Sequence, residues 1–354
     1  MDYSKSFNEI SILYNEAYAD CSEVIDVSGL FSGITFNLAF SQTDDSFAVS
    51  IIPPDFRKMS NLTNISEVFR NTKFMDYSNV VNWNSLRAKA WEPFDGLKKI
   101  RNFYALYNGN NLGKLFKLDF SHPDGVYNIA NMFGNMSSLI TEIPHDYFDS
   151  MKKITFIVSQ TITGIITKEF LMNSLFQNSR LASLRDSTGE MLMSNWDPEI
   201  DDNPENNGIN ASLLFTNSSI PTKDRLEFLN GLSIVTSKTY RHLDLENAEL
   251  VKPNSDKTPV DITPYLINGK ILNVTSNLKT IDLEGLMNKV PVINIPANSI
   301  VLPNSLTQIE VRGMFYGCVA HPDVTDISQV FIYNGPANID YESIGLQLAS
   351  KNAK

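Results

Sequence analysis

The stretch Phe56-Arg57-Lys58-Met59-Ser60-Asn61-Leu62-Thr63-Asn64-Ile65-Ser66-Glu67-Val68-Phe69 places apolar residues at offsets 0, 3, 6, 9 and 13 (Phe56, Met59, Leu62, Ile65, Phe69). Phe94, Leu97, Ile100, Phe103 and Tyr107 repeat those offsets. Phe120, Pro123, Val126, Ile129 and Phe133 form a looser copy, and Leu278-Ile281-Met287 and Leu306-Ile309-Phe315 a shorter version. A spacing of three suits a helical or 3-10 face rather than a strand.

The last residue of each copy is an anchor in a shorter motif: an apolar residue, the anchor, one spacer, then Asn or Gly. Its anchors are Phe31, Phe69, Tyr107, Phe133, Phe176, Phe215, Met287 and Phe315. The residue two after the anchor is Gly33, Asn71, Gly109, Asn135, Asn178, Asn217 or Gly317, with Lys289 the exception. Asn and Gly tolerate left-handed dihedrals and turn the chain. Anchor spacings are 38, 38, 26, 43, 39, 72 and 28 residues. The short ones set a unit of about 25 residues, and the long ones add insertions. The widest gap predicts degenerate copies near Leu226-Leu229-Leu232-Val235 and Tyr265-Leu266-Ile267.

One such unit cannot bury its own apolar stripe, whereas stacked units cover one another. The expected fold is therefore an α/β repeat: a solenoid of irregular units, with short strands such as Lys153–Val158 and helical or 3-10 turns. The solenoid is placed at 21–320, between an N-terminal cap at 1–20 and a C-terminal cap at 321–354. The caps rest on helical spacing of Phe7, Ile10, Tyr14 and Ala17, and of Tyr341, Ile344 and Leu348. Alternation in Phe36–Phe40 and Phe47–Ile51 around Gln42–Asp45 reads as a hairpin.

Met59–Phe69, Val126–Leu139 and Gly313-Met314-Phe315-Tyr316-Gly317-Cys318 resemble the BspA-type leucine-rich repeats, with Ser78–Asn84 resembling the family's following step and Cys318 its buried cysteine. The resemblance covers about residues 20–320 with gaps, and most copies lack the cysteine. It implies a surface-exposed adhesion or binding protein, or a phage structural protein.

Composition narrows the function. The 354 residues carry 29 Lys+Arg against 40 Asp+Glu, a net charge of −11, and the basic residues are scattered. Nucleic-acid binding needs clustered cations, so no nucleic-acid partner is expected. No apolar run approaches the ~20 residues of a membrane helix, so no membrane insertion is expected either. Residues 1–9 show neither a basic nor an apolar signal region, which reads as no secretory signal peptide. Cys21 and Cys318 cannot build a disulfide framework and read as buried free thiols.

The chemistry sought is sparse. His122-Pro123-Asp124 and His321-Pro322-Asp323 read as Asp-bearing turns. Gly109-Asn110-Asn111-Leu112-Gly113-Lys114-Leu115 is one residue short of a phosphate loop and has Leu where Ser or Thr meets the metal. The acidic run Asp197–Glu205 offers carboxylates to Ca²⁺ but reads as a solvated insertion. Trp83, Trp91 and Trp196 are candidates for carbohydrate stacking, with core packing the stronger reading. No catalytic, cofactor or metal residues are assigned, and no binding residues.

The expectation is a non-enzymatic binding or structural protein. A phage virion component (tail, fibre or decoration) is favoured, with virion or cell-surface proteins and surface glycan as partners. A bacterial surface adhesin is the alternative, and a carbohydrate-active enzyme on a repeat scaffold the remote one. Residues 185–208 and 237–262 would supply contact loops.

Overall fold

The computed structural model describes residues 21–37, 55–75, 91–137, 140–160, 166–200, 207–235, 241–275, 277–288, 290 and 292–349. The expected cap at 1–20, the hairpin strands at 38–40 and 47–51, the step at Ser78–Asn84 and Trp83 lie outside them.

Each anchor sits in a tight turn whose N–H groups donate to the carbonyls of the next turn along the chain. Phe31 N donates to Val68 O (3.1 Å), Tyr107 N to Met132 O (3.0 Å) and Phe133 N to Leu175 O (3.1 Å). Phe176 N donates to Leu214 O (3.1 Å), Met287 N to Met314 O (2.8 Å) and Phe315 N to Ile344 O (2.9 Å). The wide gap holds one further turn, at 245–250, with Phe215 N on Ala248 O (3.1 Å) and Leu250 N on Leu286 O (3.4 Å). That turn is not where the degenerate copies were expected. Leu226–Val235 belongs to α1 (Thr222–Val235), the one α-helix among the described residues, and Tyr265 ends a 3-10 turn (Thr263–Tyr265).

Beside the turns runs a parallel row. Asp26 pairs with Asn64, Asn64 with Asn102, Asn102 with Asn128 and Asn128 with Leu171. The row enters a six-stranded sheet of β1 (Ile157–Gln160), β2 (Ile166–Leu171), β3 (Asn207–Asn210), β4 (His242–Asp244), β5 (Thr280–Asp282) and β6 (Gln308–Glu310). The strand order is β6-β5-β4-β3-β2-β1. Only β1–β2 is antiparallel. Leu171, Asn210, Asp244, Asp282 and Glu310 continue the row in parallel register. The fold is of α/β type, with strands mostly parallel, and no described sheet closes into a barrel. No described helix is long and apolar enough to cross a membrane.

Register decides the core. Successive strand residues point to opposite faces, so Phe170, Ile209, Leu243 and Ile281 stack inward and are buried. The anchors stack too. The rings of Tyr107 and Phe133 have centroids 5.7 Å apart and nearly parallel planes (4°), as do Phe133 and Phe176 (5.9 Å, 8°) and Phe176 and Phe215 (5.8 Å, 5°). Phe56 lies on Phe94 at 5.1 Å, so offset-zero residues of successive copies meet. The spacing of three reflects consecutive turns: Met59 N bonds Phe56 O (2.8 Å) and Leu62 N bonds Met59 O (2.9 Å). These are 3-10-type bonds in turns that do not extend into a helix.

All seven Asn or Gly residues two after an anchor have positive φ, from 50° at Asn135 to 87° at Gly317. The position two before the anchor is left-handed as well, including Glu67 (57°), Ala105 (52°), Ser174 (56°) and Leu213 (55°). Side chains there cost roughly 1–2 kcal/mol each, offset by the turn-to-turn hydrogen bonds. At the C-terminus, Tyr341, Ile344 and Leu348 do not share a helical face. They lie in a turn and the segment after it, with Ile344 buried and the other two exposed. Ser343 O accepts from Gly313 N (2.7 Å), so this segment continues the stack.

Two substitutions separate core from backbone. Phe133→Ala, deep in the ring stack, should lower unfolding free energy by about 3–5 kcal/mol. Gly317→Val, at an exposed position, should cost about 1–2 kcal/mol through its dihedral alone. Denaturant titration of both variants measures each term.

Candidate functional site

The face of the sheet opposite the core carries the polar residues. One row across it is Glu169, Gly208, His242, Thr280 and Gln308, and the next is Leu171, Asn210, Asp244, Asp282 and Glu310. Beyond them, in the turns, follow Glu246, Glu284 and Arg312.

Gly208 is what allows the first row to close. A Cβ there would lie 2.9 Å from His242 Cβ and 2.8 Å from His242 O. Without it, the imidazole crosses β3 and brings Nε2 to 3.4 Å from Glu169 Oε1, with no hydrogen-bond partner of its own. Nδ1 lies 2.8 Å from Thr280 Oγ1. Glu169 Oε2 accepts from Asn210 Nδ2 (3.1 Å). Hydroxyl, imidazole and carboxylate thus stand in line, an order used in nucleophilic catalysis. Here Glu169 and His242 are 1% and 3% exposed, which closes the ring to a substrate. Burial lowers the His242 pKa against the opposing charge of Glu169, keeping the ring neutral.

The second row explains its own composition. Asn64 Oδ1 accepts from Ser66 N (3.0 Å), Asn102 Oδ1 from Tyr104 N (3.1 Å) and Asn128 Oδ1 from Ala130 N (2.9 Å). Asp244 and Asp282 make the same bond to Glu246 N and Glu284 N, both at 2.9 Å. This Asx turn needs an acceptor but no charge, so asparagine serves at 64, 102 and 128, while aspartate takes the place at Asp26 and again at Asp244 and Asp282. At the last two the replacement gathers like charges. Burial pushes Asp244 up to about 7, with Asp282, Glu169 and Glu246 adding to the effect and the Glu246 N–H opposing it. Asp282 rises to about 6, again mainly through burial. Arg312, the cation beside them, forms a two-point ion pair with Glu284.

One carboxylate oxygen each from Asp244, Glu246 and Asp282 lies within 4.8 Å of the others. A single hard cation could span that spacing. This group is the acidic cluster that forms among the described residues. Glu199 and Ile200 pair as a strand with Lys153 and Ile154, and 201–205 lie outside the described residues. Sequence reading passed over Asp244 and Asp282 because they are 38 residues apart. Aligning the copies on the column five before the anchor finds Asp282, but Asp244 precedes a turn with no aromatic or Met anchor and carries no such mark.

The other candidates resolve into structure. Trp91 and Trp196 are buried, with Trp196 Nε1 donating to Met151 O (3.2 Å), so neither offers a face to a glycan. In both His-Pro-Asp turns the ring Nδ1 accepts the N–H two residues on, from Asp124 (2.9 Å) and Asp323 (3.2 Å). Gly109 N is committed to Gly134 O (3.2 Å), and Lys114 Nζ to Trp91 O (2.6 Å) and Glu92 (2.8 Å), so no phosphate cradle forms there. Cys318 is buried and Cys21 half-buried.

Protein-family models, curated proteins and solved structures were all compared with the chain, and none matches it.

Asp244 titrates near neutrality when folded but near 3.9 when unfolded. Its contribution to stability is fully present below pH 4 and is lost as pH rises through about 7. Asp244→Asn keeps the turn acceptor and removes the charge. The variant should be more stable than the parent at pH 8, by up to about 4 kcal/mol, and the difference should vanish by pH 4. Thermal melts across that range measure it.

Proposed function

We propose that this chain is a leucine-rich-repeat-like solenoid that works without catalysis, as a binding or structural component presenting stacked turns to other macromolecules. The observation that carries the reading is the in-register row from Asp26 to Glu310, with turn-to-turn hydrogen bonds alongside it. A chain built this way gains stability from neighbour contacts and tolerates insertions between units. The turns at Phe176 and Phe215 stay bonded to one another although the 185–208 insert separates them in the chain. Of the two expected contact-loop segments, the hairpin end of 185–208 lies between stacked turns and can serve as a contact loop, whereas 237–262 includes β4 and the 245–250 turn, which belong to the stack. The closed Glu169–His242–Thr280 row supports the non-catalytic reading.

Within this class the resemblance to BspA-type repeats fits a surface adhesin and a phage structural protein alike, and we take a phage virion component, contacting virion proteins or cell-surface proteins and glycans, as the reading to test. The test is quantitative proteomics of purified phage particles against the surface and secreted fractions of the cells that carry the gene. Fixed stoichiometry in particles is the expected result. Recovery from cell surfaces alone would overturn the virion assignment in favour of an adhesin.

A further inference from the structure

The 185–208 insert begins with a small antiparallel hairpin. Arg185 pairs with Met191, Leu192 N donates to Leu184 O (2.9 Å), Asp186 N to Glu190 O (3.1 Å) and Gly189 N to Asp186 O (2.9 Å). Its root is tied to α1. Leu184 N and Ser183 Oγ donate to Asp224 Oδ2, at 2.8 and 2.6 Å, and Arg185 pairs with Glu227. Just past the hairpin, Met193 N donates to His145 O (3.1 Å). Between this strand and α1 lies a small cavity lined by Met191, Leu192, Met193, Trp196, Phe228 and Leu232, so the hairpin strand forms one of its walls.

The tip is held differently. His145 belongs to the turn of an earlier unit, and its ring stands between two carboxylates of the hairpin. Nδ1 is 2.6 Å from Asp186 Oδ2, and Nε2 is 2.9 Å from Glu190 Oε2. Ser187 Oγ donates to Glu142 (3.2 Å) beside them. A doubly protonated imidazole donates to both carboxylates. A neutral one has a single N–H. It keeps Asp186, whose Oδ2 also accepts the His145 backbone N–H (3.1 Å), and turns a lone pair on Glu190. An acceptor then faces an acceptor at hydrogen-bond distance.

We propose that the hairpin 184–192 is a proton-controlled strap, closed over the cavity while His145 carries both protons and released at its tip when one leaves. Glu190 is the releasing group: its side chain is 54% exposed and free to swing into water, whereas that of Asp186 is 7% exposed and also accepts from Thr188. The charged groups facing the ring are Asp186 and Glu190 from the hairpin and Asp146 from its own turn. The Asp186 hydrogen bond, with these charges, holds the His145 pKa above its ordinary value despite some desolvation. Closure is therefore complete below about pH 6.5 and is lost as pH rises through the higher folded-state value. The inference rests on this local geometry and stands whether or not the proposed function holds.

Hydrogen–deuterium exchange of the full chain tests it, following peptides over 184–193 and correcting for intrinsic exchange. Between pH 6 and 8.5, protection of the Asp186, Thr188 and Gly189 amides should fall about tenfold. Glu190→Gln supplies an amide that donates to the neutral ring, and should hold the strap closed at both pH values. His145→Gln should lose the pH dependence. Parental protection unchanged with pH, or a Glu190→Gln variant that opens as the parent does, would overturn the proposal.

Discussion

The hydrogen bond from one anchor turn to the carbonyl of the next is the constraint on which the rest of the molecule depends. Phe133 N on Leu175 O and Phe176 N on Leu214 O illustrate it. Their backbone dipoles are buried against stacked rings, where an unpaired donor would cost roughly 1–3 kcal/mol. Each turn therefore needs a neighbour in one register. That register sets which side chains meet, which is why rings 26 to 43 residues apart come to lie nearly parallel. It also accounts for left-handed backbone at Glu67, Ala105 and Leu213: the dihedral is expensive, and abandoning the ladder would be more so.

Fixed register makes every column additive. An apolar residue recurring in a column becomes core, as with Ile209, Leu243 and Ile281. An asparagine recurring in a column becomes a file of Asx turns. An aspartate recurring there satisfies the same turns, but it is buried and also packs charges side by side; burial first, and the neighbouring carboxylates after it, make Asp244 and Asp282 hold their protons to near-neutral pH. The acidic face is thus a product of stacking and not of any locally acidic sequence. The local run at 197–205 gathers no comparable cluster among its described residues.

Insertions escape that rule. The hairpin at 184–192 is fastened by side chains, to α1 by Arg185 and Leu184 and to an earlier unit by Asp186 and Glu190. Side-chain fastenings respond to protonation, whereas the backbone ladder does not. The stack and its insert therefore differ in what can move them. The stack opens only by losing several bonds together, while the strap's tip is held by an imidazole between two carboxylates, joined by the His145 N–H on Asp186 and Ser187 Oγ on Glu142.

By itself the sequence determined the anchors, the turn residues after them and the parallel stacking they imply. All of these are short-range patterns repeated often enough to outweigh local noise. Positive φ two residues past the anchor was legible because only Asn and Gly occupy that place cheaply. The left-handed position two before it was not, since Glu67, Ala105, Ser174 and Leu213 carry no such mark and tertiary hydrogen bonds impose the conformation. Helical spacing misled at Tyr341, Ile344 and Leu348, where a turn and the segment after it reproduce the period. The two polar sites were decided by tertiary structure alone. Asp244 meets Asp282, Glu169 meets His242 and His145 meets Asp186 only because whole turns intervene and then stack. A contact across 38, 73 or 41 residues leaves no local signature when the chemistry lies in register and not in spacing.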